Sequence, residues 1–339
     1  MKRLIIVVLV LLLVLRSVGQ DSLSVSDTFV KGFDGNELFL REIAPVTGPV
    51  LKMPILLLVH GGGGGGLASF DLPVPNGSFA RSLVALGCKI YIMDIRGWEN
   101  STLPERKEAD SGSIGSFKEA AMDIDAVINV IIRKEKTKKI SLFGWASGGH
   151  WVSYYTTLHN DKVAHLITLN TLYGVKAPWS LADAFRDPLD STRYNDTGLG
   201  RFRRSGPASL ITAWENSIPV PSRDEWRDPV IAGAYQHISV SFTKDSTLKV
   251  PGEYRKEAFY MAMGHQYWNA IEIRVPTLVI RGALDFWSRP ADLSAFCNDL
   301  KNAPLKKCVI LPEGTHFVFL DRPAHGRSQL LQEIIGFLN

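Results

Sequence analysis

Pro54-Ile55-Leu56-Leu57-Leu58-Val59 is an unbroken apolar run that ends on His60 and six consecutive glycines. A strand with no polar alternation has no wet face. It belongs inside a parallel sheet with helices packed on both sides. The chain keeps that rhythm. Two strand-like runs, 26–32 and 37–43, are joined by a turn around Asp34-Gly35-Asn36. After 54–59 come a helix near 78–86 and a strand over 88–94. Next is a helix over 116–134, with Ala120, Ile124, Val127, Ile128 and Ile131 at helical spacing behind a Ser start. A strand over 139–143, a helix to about 159 and a strand over 163–170 follow. From 171 to 273 the alternation breaks into an aromatic- and Arg-rich stretch with no buried strand run, which reads as an inserted helical cap. Alternation resumes with a strand over 277–281, a helix near 290–301, a strand over 307–311 and a closing helix over 323–338. Such a series predicts an α/β fold with a mostly parallel central sheet, in a core of 20–170 and 274–339. At 339 residues and 45% hydrophobic content the chain can bury so large a core.

With 38 basic and 34 acidic residues there is no global signal for nucleic acid. Lys2 and Arg3 precede twelve apolar residues, Leu4 to Leu15, and Ser17-Val18-Gly19 then offers small side chains. This is the layout of a secretory signal peptide over 1–19, cleaved before Gln20, and twelve residues are too few to span a bilayer. The sequence therefore predicts a secreted or periplasmic protein with no stable membrane insertion after removal of the signal. Cys297 and Cys308, between a predicted helix and the next strand, are the pair expected to oxidise there. Cys88, at the head of an apolar strand, reads as a buried small hydrophobe. Asn76, Asn100 and Asn195 match the glycosylation acceptor pattern, which matters only in a eukaryotic host.

Residues 144–149 read Gly-Trp-Ala-Ser-Gly-Gly. The nucleophile elbow places a reactive side chain on a strained strand-to-helix turn with small residues two positions either side. Gly144 and Gly148 supply that frame around Ala146. Moving the frame by one would make Ser147 the nucleophile and put bulky Trp145 where a small residue is needed.

Five landmarks in order resemble the serine hydrolases of the α/β-hydrolase fold over nearly the whole mature chain. His60-Gly61-Gly62-Gly63 after a buried strand is similar to the oxyanion loop of esterases and lipases. Asp94-Ile95-Arg96-Gly97 through Ser101 and Pro104 resembles an Asp-x-Arg-Gly-x-Gly-x-Ser segment, with Glu99 in place of its second glycine. The elbow follows, then Gly282-Ala283-Leu284-Asp285 where the family keeps its acid, and Gly314-Thr315-His316, with Asp321 and Pro323 behind, where it keeps its base. The resemblance implies a triad position at Ala146 with Asp285 and His316, the carboxylate fixing the imidazole's tautomer. It implies an oxyanion site at Gly61, Gly62, Gly63 and the Ser147 amide.

Asp190 is a weaker rival acid, and Asp94 reads as structural, paired with loop backbone or Arg96. A phosphate loop would need Gly-Lys-Ser/Thr after the glycines, and Leu67-Ala68-Ser69 stands there. Trp179, Phe185, Trp214, Trp226, Tyr235, Phe259, Tyr260, Tyr267 and Trp268 read mostly as packing between cap helices, a few of them lining an apolar pocket. Arg201-Phe202-Arg203-Arg204 reads as a solvated basic face rather than a holder of substrate carboxylate. No metal-ligand spacing occurs and no cofactor is expected.

Three readings of Ala146 stay open: a hydrolase whose nucleophile was replaced so that it traps substrate, a naturally inactive binding module, or a hydrolase using Ser147. The first is the reading adopted. The expected substrate is a small carboxylic ester or lactone.

Overall fold

The computed structural model describes residues 23–46, 53–104 and 114–339; the expected export segment lies outside them. An eight-stranded sheet runs through the molecule. Its strands are β1 (Leu23–Lys31), β2 (Glu37–Pro45), β3 (Ile55–Val59), β4 (Lys89–Met93), β5 (Ile140–Trp145), β6 (Val163–Leu169), β9 (Thr277–Leu284) and β10 (Lys306–Thr315). They lie in the order β1-β2-β4-β3-β5-β6-β9-β10. The β1–β2 hairpin joins β4 antiparallel, and every pairing from β4 to β10 is parallel. β3 and β5 are buried along nearly all their length, as their apolar runs predict.

Helices α1 (Gly66–Phe70), α2 (Phe79–Ala85), α3 (Phe117–Glu135) and α4 (Ser147–Leu158) connect the first half. Ser116 and Glu119 close a capping box at the start of α3, and Lys136 ends that helix in the left-handed region at φ 50°. The chain leaves β3 towards β4 and leaves β5 towards β6, so the strand order reverses between β3 and β5. That reversal opens a crevice at the carboxyl ends of these two strands, which is where sheets of this kind bind ligands. The glycine run and the elbow are the segments that leave these two ends.

The 171–273 segment differs from the purely helical expectation. It holds α5 to α9 (Ala182–Phe185, Asp196–Leu199, Pro207–Ser217, Pro229–Val240, Glu253–Ala262), but also a two-stranded antiparallel ribbon of β7 (Phe202–Ser205) and β8 (Leu248–Pro251). Each strand has four residues, too short for a periodic signal in the sequence. The chain closes with α10 (Pro290–Asp299), β10, one wide turn over Pro323–Arg327 and α11 (Ser328–Leu338), so the last helix starts later than its sequence suggests. Cys297 on α10 and Cys308 on β10 form a disulfide, and Cys88 is free and buried. No helix of the described residues is long and apolar enough to cross a membrane.

Candidate active site

The turn between β5 and α4 is centred on Ala146, at φ 52° and ψ −114°. A non-glycine residue there is strained and persists only where its surroundings hold it. Two glycines do the holding by letting backbone approach. A Cβ on Gly144 would lie 2.4 Å from the Gly148 carbonyl oxygen, and one on Gly148 would lie 2.4 Å from the carbonyl oxygens of Val59 and His60. The small positions therefore frame residue 146. Ser147 is the first residue of α4 and lies outside the strained position.

Asp285 follows β9 and His316 follows β10, so the acid and base expected from the sequence come off neighbouring parallel strands. His316 Nδ1 lies 2.7 Å from Asp285 Oδ1, and both residues are buried. The Asp285 carboxylate also accepts from the Trp287 amide at 3.0 Å, the Ser288 amide at 2.8 Å and the Ser288 hydroxyl. Those donors fix its orientation. The imidazole sits among aromatic rings, with Phe286 at 4.5 Å and Trp145 at 4.9 Å between centroids. Trp145 Nε1–H donates to the His316 carbonyl at 3.0 Å, and Asn170 Nδ2 donates to it at 3.2 Å. Trp145 and Asn170 thus fix the backbone that carries the His316 imidazole. Nothing in the sequence separates them from ordinary core residues.

Ala146, Ser147, Gly62, Gly63 and His316 line one cavity of about 290 Å³. The amides of Gly62, Gly63 and Ser147 make no hydrogen bond to any described residue. The glycine tract is no loose solvent loop. A Cβ on Gly62 would fall 2.1 Å from the Tyr254 ring, and one on Gly63 would fall 2.6 Å from the Tyr235 hydroxyl. Behind it, buried His60 accepts the Ile95 amide on Nε2 at 3.1 Å, so Nδ1 carries the hydrogen and donates to the Gly61 carbonyl at 2.7 Å. Burial lowers its pKa to about 4.

Asp94 holds loop backbone, accepting from the Gly66 amide at 2.7 Å and the Asn100 amide at 3.2 Å. It does not pair with Arg96, whose partners are Asp123 at 2.6 Å, Asp34 at 2.5 Å and Glu119 at 3.4 Å. Glu99 keeps the left-handed backbone a glycine would give, at φ 40°, and its carboxylate accepts the Leu67 and Ala68 amides at 2.9 and 3.1 Å. The two acids satisfy the first amides of α1. Burial raises the Asp94 carboxyl to about 7, and burial with repulsion from Asp94 raises that of Glu99 well above the usual range.

Asp190 is exposed, and its carboxylate is taken by the Thr192 amide at 2.9 Å and the Thr192 hydroxyl at 2.6 Å. The basic run also departs from its expected role. Arg204 is exposed, 3.7 Å from Asp245, whereas Arg203 turns inward and donates to the Gly62 carbonyl and the Tyr254 hydroxyl, both at 3.0 Å. Among the described residues no group of three His, Cys, Asp or Glu side chains is placed to hold a metal ion.

The sheet order and the strained turn after β5 are those of the α/β-hydrolase fold. A model of that fold matches residues 54–216. Over most of its length the chain superposes on an esterase from Exiguobacterium antarcticum, with TM-score 0.60 and 16% identity, covering 92% of this chain and 99% of that one. A thermophilic esterase from Thermogutta terrifontis gives TM-score 0.60 and 20% identity, covering 92% and 98%. In sequence, 156 residues are 25% identical to the poly(3-hydroxyalkanoate) polymerase subunit PhaC of Allochromatium vinosum. That match spans 46% of this chain and only 40% of the polymerase subunit.

Proposed function

We propose that this chain is an exported carboxylic ester hydrolase framework, capped by the 171–273 segment, in which Ala146 stands where acyl transfer needs a hydroxyl. The observation that carries the reading is the Asp285–His316 pair, 2.7 Å apart, sharing one cavity with a strained elbow and the Gly62, Gly63 and Ser147 amides. With an oxygen on residue 146, His316 Nε2 would take its proton as that oxygen bonds to the ester carbonyl carbon. The amides would meet the oxyanion, the leaving alkoxide would take the proton back, and water would release the acyl group. As it stands, the chain has the pocket but no nucleophile, so it binds substrate and leaves it intact. The strained φ on residue 146 rather than 147 favours this over chemistry at Ser147. The disulfide suits export to an oxidising compartment.

Ala146→Ser is the test, on short-chain nitrophenyl, alkyl and lactone esters. Hydrolysis should rise on the order of 10³-fold or more, and adding Asp285→Asn should remove up to ~10⁴ of the gain through the wrong tautomer. An inert Ala146→Ser across the panel would favour a binding module. Hydrolysis by the present chain that Ser147→Ala stops would move the nucleophile to Ser147.

A further inference from the structure

The cavity over Ala146 is lined mainly by apolar side chains such as Leu181, Phe185, Leu210 and Phe317, yet Arg203, Arg255 and, paired with Asp245, the exposed Arg204 also line it. No Asp or Glu among the described residues lines it. Arg203 uses Nη1 on the Gly62 carbonyl and Tyr254 hydroxyl, and Nε on the Ser205 hydroxyl at 3.0 Å. Among the described residues its Nη2 has no hydrogen-bond partner and no carboxylate pairs with it. Among the described residues, Arg255, 7% exposed, is held by the carbonyls of Leu199, Gly200 and Gly252. Arg255 is buried and Arg203 half-buried, and with no carboxylate among the described residues on either, both keep donor capacity for an anionic ligand. A planar guanidinium with a free edge matches a planar oxyanion such as a carboxylate.

We propose that Arg203, with Arg255 on the same cavity, forms an anion subsite, and that the substrate is a small ester or lactone bearing a carboxylate. The ester part rests on the acyl-transfer reading above; the anion subsite does not. A cavity of about 290 Å³ lies at the small end for ligand pockets, so the carboxylate and the reacting carbonyl are only a few bonds apart.

The test is titration calorimetry at pH 8 on the chain as it stands, which leaves esters intact. The probes are monomethyl glutarate, its neutral isostere methyl 5-methylhexanoate, and methyl 4-phosphonooxybutanoate. Monomethyl glutarate should bind at least ~10-fold more tightly than the neutral isostere, the worth of one new charge-assisted hydrogen bond. Arg203→Gln should collapse that ratio towards one while changing the neutral ester's affinity by less than ~3-fold; a purely structural arginine would weaken both alike. If Arg203→Gln does not fold, Arg255→Gln carries the comparison and the ratio in the unmodified chain stands by itself. Equal binding of the charged and neutral esters overturns the subsite. Tighter binding of the phosphate ester overturns the carboxylate in favour of a phosphate. Ala146→Ser, assayed on the same esters by pH-stat, separates the two proposals. Equal turnover of charged and neutral esters removes the subsite and keeps acyl transfer. Anion-selective binding without turnover removes acyl transfer and keeps the subsite.

Discussion

Asp321 should make the fold lose stability as pH rises, and replacing it by Asn should remove that loss. Its carboxyl is fully buried and accepts from Trp214 Nε1 at 2.8 Å, the Thr315 hydroxyl at 2.7 Å and the Thr315 amide at 3.3 Å. It therefore ties α7 of the 171–273 segment to the turn that carries His316. Burial is the largest influence and raises its pKa to about 7 against these donors. The folded chain then holds a proton that the unfolded chain has released above pH ~4. Stability from this group is complete below that pH and is lost as pH rises through about 7. The gap from ~3.9 to about 7 amounts to about 4 kcal/mol, of which about 1.4 kcal/mol falls between pH 6 and pH 8.5.

Other buried groups titrate over this range. Asp94 and Glu99 act in the same direction as Asp321, while His60, neutral in the fold at about 4, destabilises the fold as pH falls below ~6.5. The useful quantity is therefore the difference between the unmodified chain and Asp321→Asn, in which those groups cancel. Urea unfolding at pH 6, 7 and 8.5 should show the unmodified chain losing about 1.4 kcal/mol more than Asp321→Asn across that range. Parallel pH dependences, or a steeper loss in Asp321→Asn, would refute a protonated Asp321 in the native state.

Further perturbations probe the elbow and the disulfide. Ala146→Gly should stabilise the fold by about 1 kcal/mol, because glycine accepts the backbone at φ 52° that strains alanine; denaturant midpoints give the answer, and a destabilised variant counts against the strain. Cys297→Ser with Cys308→Ser should cost about 2–3 kcal/mol in unfolding free energy, since the bridge closes a loop over a separation of 11 residues. Equal melting of the two forms would show that the bridge contributes nothing.

What could be read from the sequence follows from how local each signal is. The apolar run at 55–59 specifies a strand with no wet face whatever lies around it, and the placing of the glycine run, Asp285 and His316 at strand ends then follows from chain connectivity. Arg203 could not be read in the same way. In the sequence it is one of three arginines in a tetrapeptide, and only the four-residue pairing of β7 with β8 gives that stretch an inside and an outside. A strand sends successive side chains to opposite faces, so Arg204 lies exposed beside Asp245 at the cavity's edge while Arg203 turns in to the Gly62 carbonyl. The pairing that separates them joins residues about forty-six positions apart, from Phe202↔Pro251 to Ser205↔Leu248, and no local pattern carries it. Glu99 makes the same point from the other side. As a departure from glycine it suggests an altered loop, yet the left-handed turn survives at φ 40°, because the carboxylate gains two amides at the start of α1 in return for the strain. At Ala146 the same strain brings no such local return, since the side chain accepts and donates nothing. The backbone there is held instead by Gly144, Gly148 and the strand ends beneath them. Those neighbours are intact whether or not residue 146 bears an oxygen, which is why adding one atom is the direct test of what this fold is built to do.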